Sequence, residues 1–147
     1  MTHLVFNYEI SINADQQKVF DYVSDFTKHG EWTDGLRMEA VSDGPVAVGS
    51  EYKSIGKQMG KDIQNDVKIT AYNAPSRISF LATDAKGFPF HGGITLEPQG
   101  DHTLLKRHVE VDLNPVMAIM FKALIGPLVA HPSMNKTLRN LKAQLES

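Results

Sequence analysis

The sequence predicts an α+β fold, in which a curved, seven-stranded antiparallel sheet surrounds a long C-terminal helix and two short helices follow the first strand. Apolar and polar residues alternate over residues 3–12 and in several runs between residues 36 and 113, which is the period of half-buried strands. These later runs are joined by short turns without an intervening helical pattern, so the strands must pair antiparallel. After residue 114 the apolar residues recur at three- and four-residue steps, as on one face of a helix.

The first strand is expected at residues 3–12, and either Asn13 or Asp15 can cap the short helix after it. A second short helix is expected to end near Gly30, just before Trp32. Six more strands are expected at residues 36–41, 51–55, 63–72, 77–82, 88–96 and 102–113. Gly92 and Gly93 lie inside the sixth strand, where they suit a strong bend of the sheet.

The last helix is expected to begin at Pro115, with Asn114 as its cap. A straight helix from there to Glu146 would be roughly 48 Å long at 1.5 Å per residue. A compact domain of this size is only about 38 Å across. Because Gly126-Pro127 and His131-Pro132 fall within the helix, we predict a kink or a short break there.

Composition excludes several classes of function. The 147 residues fit one domain (1–147), and the formal net charge is −2 without a dense cluster of Lys and Arg, so we expect no nucleic-acid partner. The chain has no cysteine, which excludes disulfides and thiolate ligands. Its six histidines lack metal-ligand spacing, and no Walker or Rossmann glycine pattern occurs. We therefore expect no metal and no cofactor.

The N-terminus lacks the basic start and the unbroken apolar run of a signal peptide. The longest apolar stretch, residues 115–130, contains Lys122 and Pro127 and is too short to span a membrane. These features predict a cytoplasmic protein without membrane insertion. The sequence leaves a homodimer open.

A sheet bent around a helix cannot contact it everywhere, so a cavity with apolar walls is expected between them. The alternative is that large side chains fill this space. Six residues are numerous enough to do so: Phe80, Phe88, Phe90, Met117, Met120 and Phe121.

Four segments carry a resemblance to a known family: residues 12–25, where a strand passes into a helix with a Val-aromatic pair, Glu31-Trp32, the turn and strand at 74–80, and the helical ending at 138–146. With the order of the elements, they resemble the START-like, or SRPBCC, superfamily, which includes the polyketide cyclase/dehydrase and lipid-transport group. The resemblance covers the whole chain and implies the helix-grip fold. That fold hosts carriers, cyclases, aromatases and regulatory binding modules, so the resemblance does not decide among these functions.

Arg107 is the sharpest candidate site residue, because it shares a strand face with Leu105, Val109 and Val111. A cation on that face points toward the interior, where it could bind a ligand carboxylate, carbonyl or phenol. The competing interpretation is a structural ion pair, or a side chain whose head reaches water.

The other candidates have competing structural roles. Tyr8, Tyr52 and Asn65 point inward by alternation, but buried polar groups more often bond to backbone or water. His131 lies on the apolar stripe of the last helix and is, with Arg107, a candidate for catalysis, although a hydrogen-bonded core histidine is the commoner case. Apolar ligand contacts are expected from Trp32, Phe80, Phe90, Met117 and Phe121.

These observations support three hypotheses of different class. The first is a module that binds a small hydrophobic ligand of the lipid, polyketide or aromatic metabolite type in the cavity. The second is a cyclase/dehydratase-type enzyme that acts by confinement and proton transfer, with Arg107, Tyr52, Asn65 and His131 as its groups. The third is a protein-binding regulatory domain. No motif in the sequence decides whether the chain is an enzyme.

Overall fold

The computed structural model describes residues 1–58 and 60–147 of the chain. Its strands are β1 Thr2–Ile12, β2 Arg37–Ala40, β3 Glu51–Gln58, β4 Lys61–Asn73, β5 Arg77–Asp84, β6 Pro89–Gln99 and β7 His102–Leu113. They form one antiparallel sheet in the order β1-β7-β6-β5-β4-β3-β2. The predicted fold class is thereby confirmed. The first strand pairs with the last, which brings the N-terminus to one sheet edge beside the start of the C-terminal helix.

Two short helices follow β1, as the sequence predicts. Helix α1, Gln16–Val23, is capped by Asp15, whose carboxylate accepts a hydrogen bond from the backbone N–H of Lys18 at 2.9 Å. A 3₁₀ helix, Phe26–Glu31, is capped in the same way by Asp25, which accepts from the backbone N–H of Thr27. The two caps therefore fix where each helix begins.

The register of the sheet is regular at the two glycines and irregular elsewhere. The pairing of β6 with both neighbours runs without a register shift through Gly92 and Gly93. The irregularity lies instead in β4, where the register with β5 shifts between Ile69 and Ala71. The two glycines serve close packing, because a Cβ at Gly92 would lie 2.5 Å from the Phe80 ring, and one at Gly93 would lie 2.5 Å from the His108 ring.

The C-terminal helix runs from Pro115 to Glu146. It consists of α2, Pro115–Met120, a π-helical segment, Phe121–Ala130, and α3, His131–Glu146. The expected irregularity is present at Gly126-Pro127, but it takes the form of this wide π-helical segment rather than a break. The backbone N–H of His131 donates to the carbonyl of Gly126, five residues earlier, which is the π-helical bond. A Cβ at Gly126 would lie 2.9 Å from Nε2 of His131 and from the carbonyl oxygen of Phe121, so glycine suits this tight contact.

The two halves of this helix have different surroundings. Leu138, Leu141 and Leu145 of α3 are buried against the sheet and α1. The N-terminal half instead exposes several large apolar side chains: Val116, Met117, Ile119, Met120, Leu124, Leu128 and Val129. By length and composition alone this helix could cross a membrane, because it continues beyond the apolar stretch that the sequence prediction considered too short. One such helix does not by itself indicate a membrane protein.

Candidate functional site: a cavity between sheet and helix

A cavity of about 890 Å³ lies between the inner face of the sheet and the C-terminal helix. Its walls are mostly apolar, with side chains from the sheet, from the segment after the 3₁₀ helix and from the C-terminal helix: Trp32, Leu36, Met38, Val67, Phe80, Ala82, Phe90, Phe121, Ile125, Val129 and Met134. Small-molecule sites are typically apolar hollows of about 300–1,000 Å³ with a few polar groups. The size and lining of this cavity fit that description.

The large side chains that could have filled the space do not do so. Three of them form part of the wall: Phe80, Phe90 and Phe121. Phe88, Met117 and Met120 lie outside the lining and are 57%, 40% and 43% exposed. Met117 is therefore not a contact of this cavity, contrary to the sequence prediction.

Gly92 helps to keep the cavity open. The Phe80 ring covers this glycine, so closely that an added Cβ would lie 2.5 Å from Cζ and 2.9 Å from Cε1 of the ring. The absence of a side chain at position 92 lets the ring lie close to the sheet instead of standing in the cavity. The space above the ring is then available to a ligand.

Arg107 on β7 lines the cavity and lies over the same ring, with its guanidinium carbon 5.0 Å from the Phe80 ring centroid. Within residues 1–58 and 60–147, the structure records no hydrogen bond and no ion pair for this side chain. Burial lowers the pKa of Arg107 to about 10, and the nearby Tyr8 hydroxyl acts in the opposite direction. At neutral pH the guanidinium is still protonated, so the cavity contains a cation without a counter-charge.

Two further polar groups in the cavity wall are buried without a hydrogen-bond partner. They are the indole N–H of Trp32 and the side-chain carbonyl oxygen of Asn65. A buried polar group without a partner destabilises the protein by about 1–3 kcal/mol, and most such groups in native proteins are satisfied. A ligand that accepts from Trp32 and donates to Asn65 would remove this penalty.

The backbones of Asn65 and Arg107 are offset along the strands, although the Arg107 guanidinium reaches over the Phe80 ring. The register places Asn65 opposite Asp84 of β5, whereas Arg107 pairs with Ile94, which pairs with Ile78 of β5. Ile78 and Asp84 are six residues apart, or about 20 Å along the strand. A ligand group that contacts Arg107 is therefore independent of one that contacts Asn65.

His29, at the end of the 3₁₀ helix, also lines the cavity. Its Nε2–H donates to the carbonyl oxygen of Val23 at 2.8 Å, and its ring packs between Phe26 and Trp32 with centroid distances of 4.2 and 4.7 Å. Burial lowers the pKa of His29 to about 4, although the bond to Val23 acts in the opposite direction. The imidazole is therefore neutral at pH 7.

Tyr8 and His131 lie outside the cavity lining, so the structure separates them from the site that the sequence predicted for them. The Tyr8 hydroxyl and Nδ1 of His131 are hydrogen-bonded at 2.6 Å, and both side chains are part-buried. The rings of Phe6 and Phe121 pack against the same imidazole. The pair therefore joins β1 to the C-terminal helix, which is the hydrogen-bonded core histidine that the sequence left as the alternative.

Tyr52 is also absent from the cavity lining. It is buried in the core with its ring centroid 5.2 Å from that of Phe26, and burial raises the pKa of its phenol. It borders a separate depression of about 550 Å³ over β3, β4 and β5, which is lined also by Glu51, Lys53, Asp66 and Lys68. The sequence predicted that Tyr52 points inward but did not predict which residues its ring packs against.

Of the predicted site residues, the structure brings six together in one cavity: Trp32, Asn65, Phe80, Phe90, Arg107 and Phe121. Sequence reasoning missed several others, among them His29, Ile125 and Met134. Ile125 follows Phe121 by four residues, so helical spacing from Phe121 is a signal that could have found it. No sequence signal distinguished His29 from an exposed residue of a short helix.

The described part of the chain contains no cluster of three or more His, Cys, Asp or Glu side chains that could hold a metal ion. The candidate site is therefore an apolar cavity with isolated polar groups.

A family model described as "Polyketide cyclase / dehydrase and lipid transport" matches residues 3–146. A search of curated proteins found none that matches. Among solved structures, a protein from Thermus thermophilus has a TM-score of 0.76 and 16% identity, and the alignment covers 97% of each chain. The Zhui aromatase/cyclase from a Streptomyces species has a TM-score of 0.76 and 12% identity, covering 99% of this chain and 94% of that one. Norcoclaurine synthase from Thalictrum flavum has a TM-score of 0.74 and 15% identity, covering 99% and 88%. At these identities the likeness to solved structures shows the fold alone.

Proposed function

Since the chain belongs to the polyketide cyclase/dehydrase and lipid transport family, we propose that it binds a small, mostly apolar molecule in the cavity between sheet and helix. The observation that carries this proposal is the cavity itself, about 890 Å³ with apolar walls. Two buried polar atoms in that wall lack partners, Trp32 Nε1 and Asn65 Oδ1, and the half-buried Arg107 guanidinium has no ion pair among the described residues. An apolar molecule with a few polar atoms complements such a lining.

A second candidate is a cyclase/dehydratase-type enzyme, and Arg107 is the observation that favours it. A buried guanidinium can stabilise the negative oxygen that develops when a carbonyl compound enolises. The proton-transfer part of this chemistry is less well supported. His29 is the imidazole in the cavity wall, and with a pKa of about 4 it is a weak general base at pH 7. Binding without turnover is therefore the primary proposal.

Titration with N-phenyl-1-naphthylamine, a neutral apolar dye that fluoresces in dry sites, tests binding. Ala130→Trp places a large side chain in the cavity wall, and Ala143→Trp makes the same change at an exposed position of the same helix. We expect wild type and Ala143→Trp to bind the dye alike, and Ala130→Trp to bind it at least about tenfold more weakly. Thermal melting confirms that both variants fold. A wild-type protein that does not bind the dye, or equal binding by both variants, would contradict the proposal.

Two measurements separate the carrier from the enzyme. Native mass spectrometry of freshly purified protein would detect a co-purifying apolar molecule that leaves unchanged, which supports the carrier. Turnover of a poly-β-ketone surrogate that is lost in Arg107→Ala, with folding intact, supports the enzyme. Two expectations from the sequence stay predictions: a cytoplasmic location and the lack of a nucleic-acid partner. A homodimer stays an open possibility.

A further inference from the structure

We propose that the ligand is an organic anion of the carboxylate or phenolate class, with its acidic group bound to Arg107 and its apolar body along Phe80 and Phe121. This inference rests on the proposed function, because it names the chemical class of the molecule that the cavity binds. It starts from the charges of the cavity wall.

The described part of the cavity wall is positive. It contains two cationic side chains, Arg107 and Lys57, and no Asp or Glu. His29 adds no charge at neutral pH, because burial keeps its imidazole unprotonated. An electrically neutral ligand would leave both cations without a counter-charge, whereas an anion complements them.

Of the two cations, Arg107 is the one that most needs an anion. Lys57 is exposed, so water and salt screen its charge. The Arg107 side chain is half-buried, faces the cavity and has the Phe80 ring on one side of its guanidinium. The nearby Tyr8 hydroxyl is already hydrogen-bonded to His131. A charge that is partly removed from water and has no hydrogen-bonding partner in the protein favours a counter-charge, and a planar guanidinium suits a carboxylate, which it can bind through two parallel hydrogen bonds.

The shape of the cavity places the rest of the ligand. Phe80 lies on the sheet, in the wall beside Arg107. Phe121 lies on the helix, across the cavity. The guanidinium lies over Phe80, and Asn65 pairs with Asp84, which is four residues, or about 13 Å, farther along the same strand, so the acidic group at Arg107 does not depend on a polar contact with Asn65. A hydrophobic acid with one charged end satisfies the whole arrangement.

Displacement of bound N-phenyl-1-naphthylamine at pH 7.5 tests the charge of the ligand directly. Two matched pairs serve as competitors, decanoate with decanamide and 2-naphthoate with 2-naphthamide, because each pair differs mainly in one negative charge. We expect the acid of at least one pair to bind about tenfold to a hundredfold more tightly than its amide. If neither acid binds more tightly, while the dye still binds, the inference is wrong and the proposed function stands. If the dye does not bind at all, the proposed function itself fails.

Variants at three positions test the position of the acidic group. Arg107→Met should abolish the preference for the acid, measured as the ratio of acid to amide affinity in the same variant, and Arg107→Lys should retain part of it because the charge remains. Lys106→Met is the matched control, since Lys106 is the next residue of the same strand, exposed, and paired with Glu97 at 3.0 Å. It should keep the wild-type preference. A preference that survives Arg107→Met, or that is lost in Lys57→Met alone, would overturn the assignment to Arg107.

Discussion

Gly92 is the position where a single methyl group should change the cavity most. The Cβ of alanine would lie 2.5 Å from Cζ of Phe80, whereas carbon atoms in contact are normally about 3.5–4.0 Å apart. The ring must therefore move by about 1 Å or more. Because strand β6 lies beneath the Phe80 ring, the ring can only move into the cavity, toward Arg107. Overpacking of this size costs about 1–3 kcal/mol of stability. The smaller cavity should weaken dye binding by about fivefold or more, equivalent to about 1 kcal/mol of lost apolar contact.

Gly93→Ala is the matched control for this effect. A Cβ there would lie 2.5 Å from the His108 ring and 2.9 Å from the Ser79 hydroxyl oxygen, on the opposite face of the sheet. Urea denaturation should show a loss of stability in both variants, while titration with N-phenyl-1-naphthylamine should show weaker binding in Gly92→Ala alone. Equal affinities for the two variants would refute the argument that Phe80 keeps the cavity open because position 92 lacks a side chain.

Three further outcomes follow from individual side chains. Since burial lowers the pKa of His29 to about 4 from an unfolded value near 6.5, the unfolded chain binds the proton first, and stability should fall by about 2 kcal/mol between pH 7 and pH 4.5. Urea denaturation at several pH values should show a smaller loss of stability at low pH in His29→Gln than in the wild type. The same dependence of stability on pH in His29→Gln and the wild type would contradict this prediction. His91→Gln, at an exposed position, is the control and should behave as the wild type. Leu141→Ala, at a fully buried site, should cost about 2–5 kcal/mol, whereas Leu128→Ala, at a residue 71% exposed, should cost less than about 0.5 kcal/mol by the same measurement. Tyr8→Phe should cost about 1 kcal/mol by removing the bond to His131, with dye affinity unchanged because Tyr8 lies outside the cavity; a large loss of affinity would return Tyr8 to the site.

Strand alternation predicted the inward direction of several side chains but not their neighbours. Arg107 and Asn65 are on the inner face, where their parity places them, and both line the cavity. Tyr8 and Tyr52 have the same parity argument, yet one bonds to His131 and the other packs against Phe26. Alternation along a strand defines which face of the sheet a side chain lies on. Its neighbours across the sheet and under the helix depend on segments that are distant in sequence.

The C-terminal helix shows a second limit of sequence reasoning. Its start at Pro115 and the irregularity near Gly126-Pro127 follow from local residue chemistry. The sequence predicted a kink or a short break, because proline lacks an N–H and a straight helix is too long for the domain. The structure instead keeps one continuous helix of 32 residues and accommodates the proline in a π-helical segment, where Gly126 lies close to His131.

The sequence by itself determined the strand and helix order, the cap at Asn114 and the family, because these depend on periodicity and on interactions between near neighbours, and the structure chose Asp15 over Asn13 as the cap of the first helix. Only the tertiary structure decided that the sheet and the helix leave a cavity, and which polar groups in its wall lack partners. The physical reason is that a cavity forms where two surfaces fail to touch, and this depends on the shapes of both surfaces after folding. The close contact of Phe80 with Gly92 across neighbouring strands, which opens that space, exists only once the sheet has formed.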